Sequence, residues 1–194
     1  MAAESSPSPR GAKAILAFVF AATWFVTGAM AAHLPRLLEI AGASTTAAIA
    51  AAALVGPAQV AARLVEFGAL RMAHPLVSAR LAALLHPVGA VMLGLFGPGA
   101  MIAFAVLHGA GNGLLTIAKG TVPLAIFGPV GYGLRSGILG APARATQAAS
   151  PLVFGLLMDT MGIGVFAVSA GLSLSACVAL LLLKARPAAA PAAA

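Results

Sequence analysis

Three polar residues in one apolar block of the sequence, His108, Asn112 and Lys119, could together handle a proton or bind an anion. They are four and seven residues apart, so on a helix they fall within about 40° of one another on one face. Ionisable groups inside hydrocarbon are costly unless paired, and they commonly mark a substrate or ion pathway. We therefore predict that His108 accepts a proton or contacts an anionic solute. Asn112 either joins this pathway or bonds a neighbouring helix, and Lys119 is expected to extend to the membrane surface.

Two further apolar blocks, the second and the fifth, carry polar residues at helical spacing, and the fifth contains Arg144 and Gln147. Gln59, Arg63 and Glu66 share one face of the second block, and Arg63 and Glu66 are close enough in sequence to pair. The place of Arg63 and Glu66 near the end of the block favours a structural or gating latch over substrate contact. The predicted pathway residues are His108, Asn112, Gln59 and Gln147. The predicted gating or latch residues are Arg63, Glu66, Arg71 and Arg144, with a topology anchor as the alternative for Arg144.

The glycines Gly109, Gly111 and Gly113 follow His108 in the same block. They do not follow a strand, so they do not form a nucleotide-binding loop. Small residues instead allow helices to approach closely in a membrane, so we predict that these glycines pack against other helices. The four histidines stand alone, without a metal-binding motif, and no Ser/His/Asp set is present at membrane depth. We expect no metal, no cofactor and no enzymatic activity.

The composition predicts the elements that must position these residues. Hydrophobic residues make up 61% of the 194 and charged residues only 8%, which is too little charge to cover the surface of a soluble domain. Long unbroken apolar blocks favour membrane-spanning helices over a barrel. Six blocks are long enough, and they cover approximately 14–34, 45–67, 76–96, 99–119, 138–158 and 163–183. We expect a polar cytoplasmic tail at 1–13, a transmembrane domain at 14–184, and a disordered Pro/Ala-rich tail at 185–194.

The basic residues predict the orientation of these six helices. Of the 11 Lys and Arg residues, all but Arg36 fall on one side of a six-helix path, and the positive-inside rule makes that side cytoplasmic. Both termini are then cytoplasmic. The net charge of +7 reflects these loops, and we expect no nucleic-acid partner. An alternative reading takes residues 10–31 as a cleaved signal peptide, although their apolar stretch is longer than is typical of one. We also expect residues 120–137 to form a long inner loop with an interfacial piece at 123–132.

A faint internal echo relates the second and fifth helices. The segment GPAQVAAR at 56–63 is similar to GAPARATQ at 140–147. These two helices are equivalent in a three-plus-three inverted repeat, which is typical of transporter halves.

The sequence resembles the C-terminal six-helix half of a major facilitator superfamily transporter, and bacterial members in particular. The resemblance covers 14–184 and depends on the stretch 56–71 leading to a basic turn, the glycine-rich segment 108–113, the segment FGPVGYGLR at 127–135, and the helix 140–159. It departs from the family at the loop that follows the second helix, where Glu66, Arg71 and Arg80 are present but the family's Asp-Arg core is missing.

The resemblance implies secondary transport of a small solute by alternating access in a bacterial cytoplasmic membrane. From the position of His108 we predict in addition that this transport is coupled to protons. Members of the family hold solute between two six-helix halves. A single half therefore implies a homodimer or a separately encoded second half, and the remaining alternatives are a truncated remnant or a non-transporting scaffold or assembly subunit.

Overall fold

The computed structural model describes residues 9–70 and 72–184, and within these ranges the chain is helical with no strand. This confirms the all-α class. The described residues form seven α-helices, which are α1 (Pro9–Ile40), α2 (Thr45–Ala53), α3 (Val55–Gly68), α4 (Pro75–Phe96), α5 (Met101–Phe127), α6 (Tyr132–Met161) and α7 (Val165–Leu181). Short 3₁₀ turns at Gly97–Ala100 and Gly162–Gly164 connect α4 to α5 and α6 to α7. Counted as continuous helical stretches, the described residues contain four that are long and apolar enough to cross a membrane.

The α4–α5 connection is a tight hairpin. Gly97 has a φ of 56°, a left-handed conformation that glycine adopts without the steric cost of a Cβ atom. Residues equally far from this turn then face each other, as Gly89 faces Phe104 and Ala82 faces Gly111. We define the inner end of the bundle as the end at which α1 begins, and the outer end as the end at which α1 finishes.

Helices α1 and α6 pack side by side and run in the same direction. Near the middle, the Thr146 hydroxyl donates to the Ala21 carbonyl at 2.9 Å. At the outer end, Arg36 and Asp159 form an ion pair at 3.0 Å, with side chains 59% exposed. Exposed ion pairs stabilise a fold only weakly, so the α1–α6 contact depends mainly on packing.

Apolar side chains lie both inside and outside the bundle. The fully buried ones form an inner layer that includes Leu16 and Leu180, and an outer layer that includes Phe104 and Phe154. Many large apolar side chains point outward, including Phe67, Leu95, Leu134, Leu152 and Leu182. An apolar exterior of this kind suits a lipid environment rather than water.

The predicted long loop between the fourth and fifth blocks is wrong. Helix α5 continues through Pro123 to Phe127, and α6 already begins at Tyr132, so only Gly128–Gly131 connects them. The sequence from 121 to 127 is apolar and extends α5, while the positive φ angles of Gly128 and Gly131 make the turn. The interfacial piece expected at 123–132 does not form a separate element, because residues 123–127 continue α5 and 128–131 form the turn.

Helix α1 begins at Pro9, so residues 9–13 are helical. The boundary between the tail at 1–13 and the transmembrane domain at 14–184 stays a prediction. The tail at 185–194 lies outside the described residues. Helix α4 continues through Pro87 without interruption.

Arg80 connects the inner ends of α4 and α7. Its guanidinium donates to the Leu180 carbonyl at 3.1 Å and to the Leu183 carbonyl at 2.7 Å. The last carbonyls of a helix have no i+4 donor within the helix. Arg80 supplies a charged donor to two of them, and the Leu180 carbonyl also accepts from the Leu183 N–H at 3.3 Å.

Arg80→Gln should lower the free energy of unfolding by about 2 kcal/mol, because hydrogen bonds from a charged donor are lost. Reversible unfolding in mixed detergent–SDS micelles measures this change. Arg63→Gln is the matched control, since Arg63 is an exposed arginine on α3. Equal stability of the two variants would contradict the capping role.

Candidate functional site

Two buried histidines meet at the centre of the α4–α5 hairpin. His86 Nδ1 and His108 Nδ1 are 3.0 Å apart, and each residue is only 5% exposed. Both histidines lie eleven residues from Gly97, so the hairpin brings them to the same depth. A hydrogen bond between two imidazole nitrogens needs one donor and one acceptor, so a single proton lies between them.

The neighbouring serine indicates which nitrogen carries each proton. The Ser169 hydroxyl on α7 donates to the Phe166 carbonyl at 3.0 Å, and its oxygen lies 3.0 Å from His86 Nε2. Ser169 therefore accepts from His86, which places a proton on His86 Nε2. In the neutral pair, His86 Nδ1 is then the acceptor and His108 Nδ1 the donor, which leaves His108 Nε2 unprotonated.

Aromatic rings hold the pair in place. Phe104 stacks on His108 with centroids 6.1 Å apart and an interplanar angle of 10°, and it meets His86 edge-on at 5.4 Å. Phe166 packs edge-on against Phe104 at 5.2 Å. Because Phe104 is fully buried, both imidazoles are fixed by packing as well as by hydrogen bonds.

His108 also lines a cavity of about 230 Å³ between α1, α2, α3 and α5. The polar side chains in its wall are Thr27, Gln59, His108 and Asn112, while Met30, Leu34 and Val55 are among its apolar members. The Thr27 hydroxyl donates to Asn112 Oδ1 at 3.0 Å, which fixes the amide of Asn112. Among the described residues, His108 Nε2 has no hydrogen-bond partner, so this nitrogen can accept a proton from water or solute in the cavity.

Three of the four predicted pathway residues therefore meet at one cavity, and Gln147 does not. Gln147 is half-buried on α6, where its Cγ and carbonyl pack beside Gly28 of α1. Because α1 stands between Gln147 and the cavity wall, Gln147 is not among the cavity's lining residues.

The predicted latch residues do not form a cluster. Arg63 is exposed and Glu66 is partly buried, and the predicted ion pair between them is not formed, since Arg36–Asp159 is the ion pair found in the described residues. Glu66 Oε2 is buried without a hydrogen-bond partner in that part of the chain. Arg144 is exposed on α6, and Arg71 lies outside the described residues. Their gating role stays a prediction.

The three predicted packing glycines face two different helices. A Cβ atom on Gly109 would lie 2.6 Å from the Val55 carbonyl oxygen, and one on Gly113 would lie 2.5 Å from the Gln59 carbonyl oxygen, both on α3. Gly111 faces the other way, toward the Ala82 carbonyl of α4. Contacts this close leave no room for any side chain, so the glycines bring α3 and α4 against α5 and thereby place Gln59 and His86 beside His108.

His86 and Ser169 are partners of His108 that spacing along one helix does not indicate. One available signal was the sequence Gly97-Pro98-Gly99, because glycine and proline favour a turn and residues at equal distances from a hairpin turn lie at equal depth. Ser169 gave no such signal, since it lies on α7 and meets His86 only through tertiary packing.

Nitrogen NMR should detect the bond between the two histidines directly. With ¹⁵N-histidine label, we expect a coupling across the Nδ1–H···Nδ1 hydrogen bond, together with shifts typical of Nε2–H for His86 and Nδ1–H for His108. Only four histidines are present, so single substitutions assign the spectrum. His86→Phe should abolish the coupling, whereas His74→Gln should preserve it. Two unlinked imidazoles would contradict the geometry.

The arrangement can accept one proton at His108 Nε2 and carry its charge next to a small polar cavity. No group of three His, Cys, Asp or Glu side chains within 9–70 and 72–184 is placed to hold a metal ion. Neither a protein-family profile nor a curated protein matches the sequence.

Proposed function

We propose that the chain is a six-span half of a proton-coupled secondary transporter, which moves a small solute by alternating access together with a second half. The observation that carries this proposal is the buried His86–His108 pair. Within the described residues, His108 Nε2 is the ring nitrogen of the pair without a hydrogen-bond partner, and His108 lines a polar cavity. Buried ionisable groups at membrane depth are expensive and typically functional.

The directions of the helices support six spans. Helix α5 runs antiparallel to α1, because Lys119 lies over Trp24 and Asn112 bonds Thr27. It runs antiparallel to α4 through the hairpin and parallel to α3 through the glycine contacts. The contacts of Arg80 and His86 with α7 make α4 and α7 antiparallel.

Direction therefore alternates along the chain, with α2 and α3 together forming one span. The continuous stretch Pro75–Phe127 has 53 residues, which would extend about 80 Å if straight. A bilayer core is about 30 Å thick, so the fold-back at Gly97 makes this stretch two spans. The same reasoning applies to Tyr132–Leu181, which has 50 residues. With six spans, both termini are on one side, and the basic residues make that side cytoplasmic.

The pattern of helix neighbours supports a three-plus-three repeat. In a three-plus-three repeat, α1 corresponds to α5, α2–α3 to α6, and α4 to α7. This exchange maps the α1–α6 contact onto the α5–α3 contact, and the α4–α5 contact onto the α7–α1 contact. The α4–α7 contact maps onto itself. Every major contact has its counterpart, as an inverted repeat requires, and the echo between 56–63 and 140–147 relates the spans that this exchange equates.

The proposal also explains why a second half is needed. The cavity of His108 is not closed by this chain alone, and a wall that contains Gln59 and Asn112 is costly against lipid. A second six-span half, from another copy or another chain, would cover it. This agrees with the resemblance to the C-terminal half of a major facilitator superfamily transporter and with a bacterial cytoplasmic membrane.

Proton coupling follows from the polarity of the histidine pair. When a proton binds His108 Nε2, the imidazolium still donates from Nδ1 to His86, so the bond between the rings is kept while the charge changes. The new charge attracts an anionic or acceptor group in the cavity. Release of the proton removes that attraction. Proton binding at His108 and solute binding in the cavity are therefore thermodynamically linked.

A scaffold or assembly subunit is the alternative function. Under this alternative, the glycine face of α5 would join a partner, and Gly111→Leu would disrupt a complex. In the structure Gly111 contacts α4 of the same chain, so its substitution would disturb the fold of the chain itself and does not isolate a partner interface.

Transport in proteoliposomes tests the proposed function. Protein purified with any co-purifying partner is reconstituted, an inside-alkaline gradient is imposed, and uptake is measured across a panel of labelled small solutes. We expect at least one solute to accumulate, with accumulation abolished by a protonophore. If no solute in a broad panel moves under the gradient, the transporter proposal fails and the scaffold is favoured.

A further inference from the structure

A second polar cavity lies at the inner end of the bundle. It has a volume of about 220 Å³, is formed by α1, α5 and α6, and has Thr116, Lys119, Tyr132 and Ser136 as its polar lining residues. It shares no lining residue with the cavity of His108.

Lys119 gives this cavity a positive charge that no carboxylate within 9–70 and 72–184 compensates. The one ion pair in the described residues is Arg36–Asp159 at the outer end. The Lys119 ammonium instead lies 4.3 Å from the centroid of the Trp24 ring, a cation–π contact that leaves the net charge in place. Arg144 is close enough to repel Lys119, which adds to the positive potential there.

Ser136 adds an independent sign of a missing partner. Its Oγ is buried and has no hydrogen-bond partner in the described part of the chain, although a buried hydroxyl without a partner costs free energy. The neighbouring Tyr132 hydroxyl is already used, because it donates to the Gly120 carbonyl at 3.0 Å. An oxygen-rich anion in the cavity would accept from both Lys119 and Ser136.

The depth of Lys119 agrees with such a ligand. Lys119 lies about 27 Å along α5 from its outer end, at 1.5 Å per residue, and the hydrocarbon core of a bilayer is about 30 Å thick. In the proposed orientation the cavity is therefore near the inner membrane boundary, where lipid phosphates and cytoplasmic anions are both present.

We propose that the cavity bounded by Lys119 and Ser136 binds a phosphate group, carried either by an anionic lipid or by a free anion. This site is independent of transport activity, because it requires only the folded chain. Lys119 provides the charge, and the Ser136 hydroxyl provides a hydrogen-bond donor that no described residue uses.

Trp24 allows a direct test, because it is the only tryptophan in the chain and it contacts Lys119. Phosphate that draws the ammonium away from the ring should change Trp24 fluorescence in a saturable way. The purified protein in neutral detergent is titrated with inorganic phosphate in one arm. In a second arm it is titrated with mixed micelles that contain phosphatidylglycerol, and in a third with micelles that contain phosphatidylcholine.

Three variants make the test specific. Lys119→Gln should remove the saturable change, and Ser136→Ala should weaken binding about tenfold, in line with the loss of one hydrogen bond to a charged group. Lys13→Gln removes the same charge from an exposed site on α1 and should bind like the wild type.

Saturation with inorganic phosphate assigns the site to a free anion, and saturation with phosphatidylglycerol alone assigns it to a lipid headgroup. The proposal is overturned if neither ligand gives a saturable signal, or if Lys119→Gln binds as the wild type does. If Lys119→Gln does not fold, unchanged affinity in folded Ser136→Ala overturns it instead. Transport is not part of this readout, so failure of the transporter proposal leaves the result unaffected.

Discussion

His108→Gln is expected to reduce gradient-driven solute uptake to the level of empty liposomes. Glutamine can keep a hydrogen bond to His86, but it cannot carry a proton at membrane depth. Exchange of labelled for unlabelled solute without a gradient should be less affected, since it does not require net proton movement. The assay is uptake into proteoliposomes of the solute that the panel identifies.

His33→Gln is the matched control for this variant. His33 contacts the Pro151 carbonyl through Nε2 at 2.7 Å, and a glutamine amide can replace that donor. We expect His33→Gln to keep gradient-driven uptake. If His108→Gln accumulates solute as the wild type does, His108 is not the coupling group.

Gly113→Leu is expected to have the largest effect on stability. Its Cβ would meet the Gln59 carbonyl oxygen at 2.5 Å and the Gln59 Cα at 3.0 Å. These are backbone atoms, so α3 has to move away from α5, and overpacking of this kind costs about 3 kcal/mol or more. Reversible unfolding in mixed micelles, or the yield of folded protein, measures the effect.

Gly171→Leu provides the comparison, because Gly171 is an exposed α7 glycine with nothing within 4 Å of the added Cβ. It should unfold within about 1 kcal/mol of the wild type, as surface substitutions usually do. Equal losses in both variants would show that glycine itself, rather than the α3–α5 contact, determines stability.

The sequence predicts the helices well because the signal is local. The hydropathy of each block and the glycines at 97 and 162 are enough to indicate apolar helices with tight outer turns. The error at 120–137 has the same origin, because glycines and a proline within an apolar stretch indicate a loop by local rules, whereas α5 tolerates Pro123 in its interior. The apolar sequence at 121–127 continues α5 instead, and the turn is confined to 128–131.

The candidate site could be predicted only in part. Spacing along one helix brought His108 and Asn112 together, and Gln59 reached the same cavity because Gly109 and Gly113 let α3 approach. The Arg63–Glu66 pair failed because spacing permits an ion pair but does not require one. His86 and Ser169 belong to other helices, so periodicity within one helix cannot find them.

The mass of the assembly in lipid nanodiscs tests the central claim most directly, namely that this chain is one of two halves around the His108 cavity. Native mass spectrometry resolves a single chain of 19.0 kDa from a pair or from a complex with a second protein. We predict a twelve-span assembly, either two copies of this chain or one copy with a partner of similar span number. A stable single copy, with the His108 cavity facing lipid, would contradict the account.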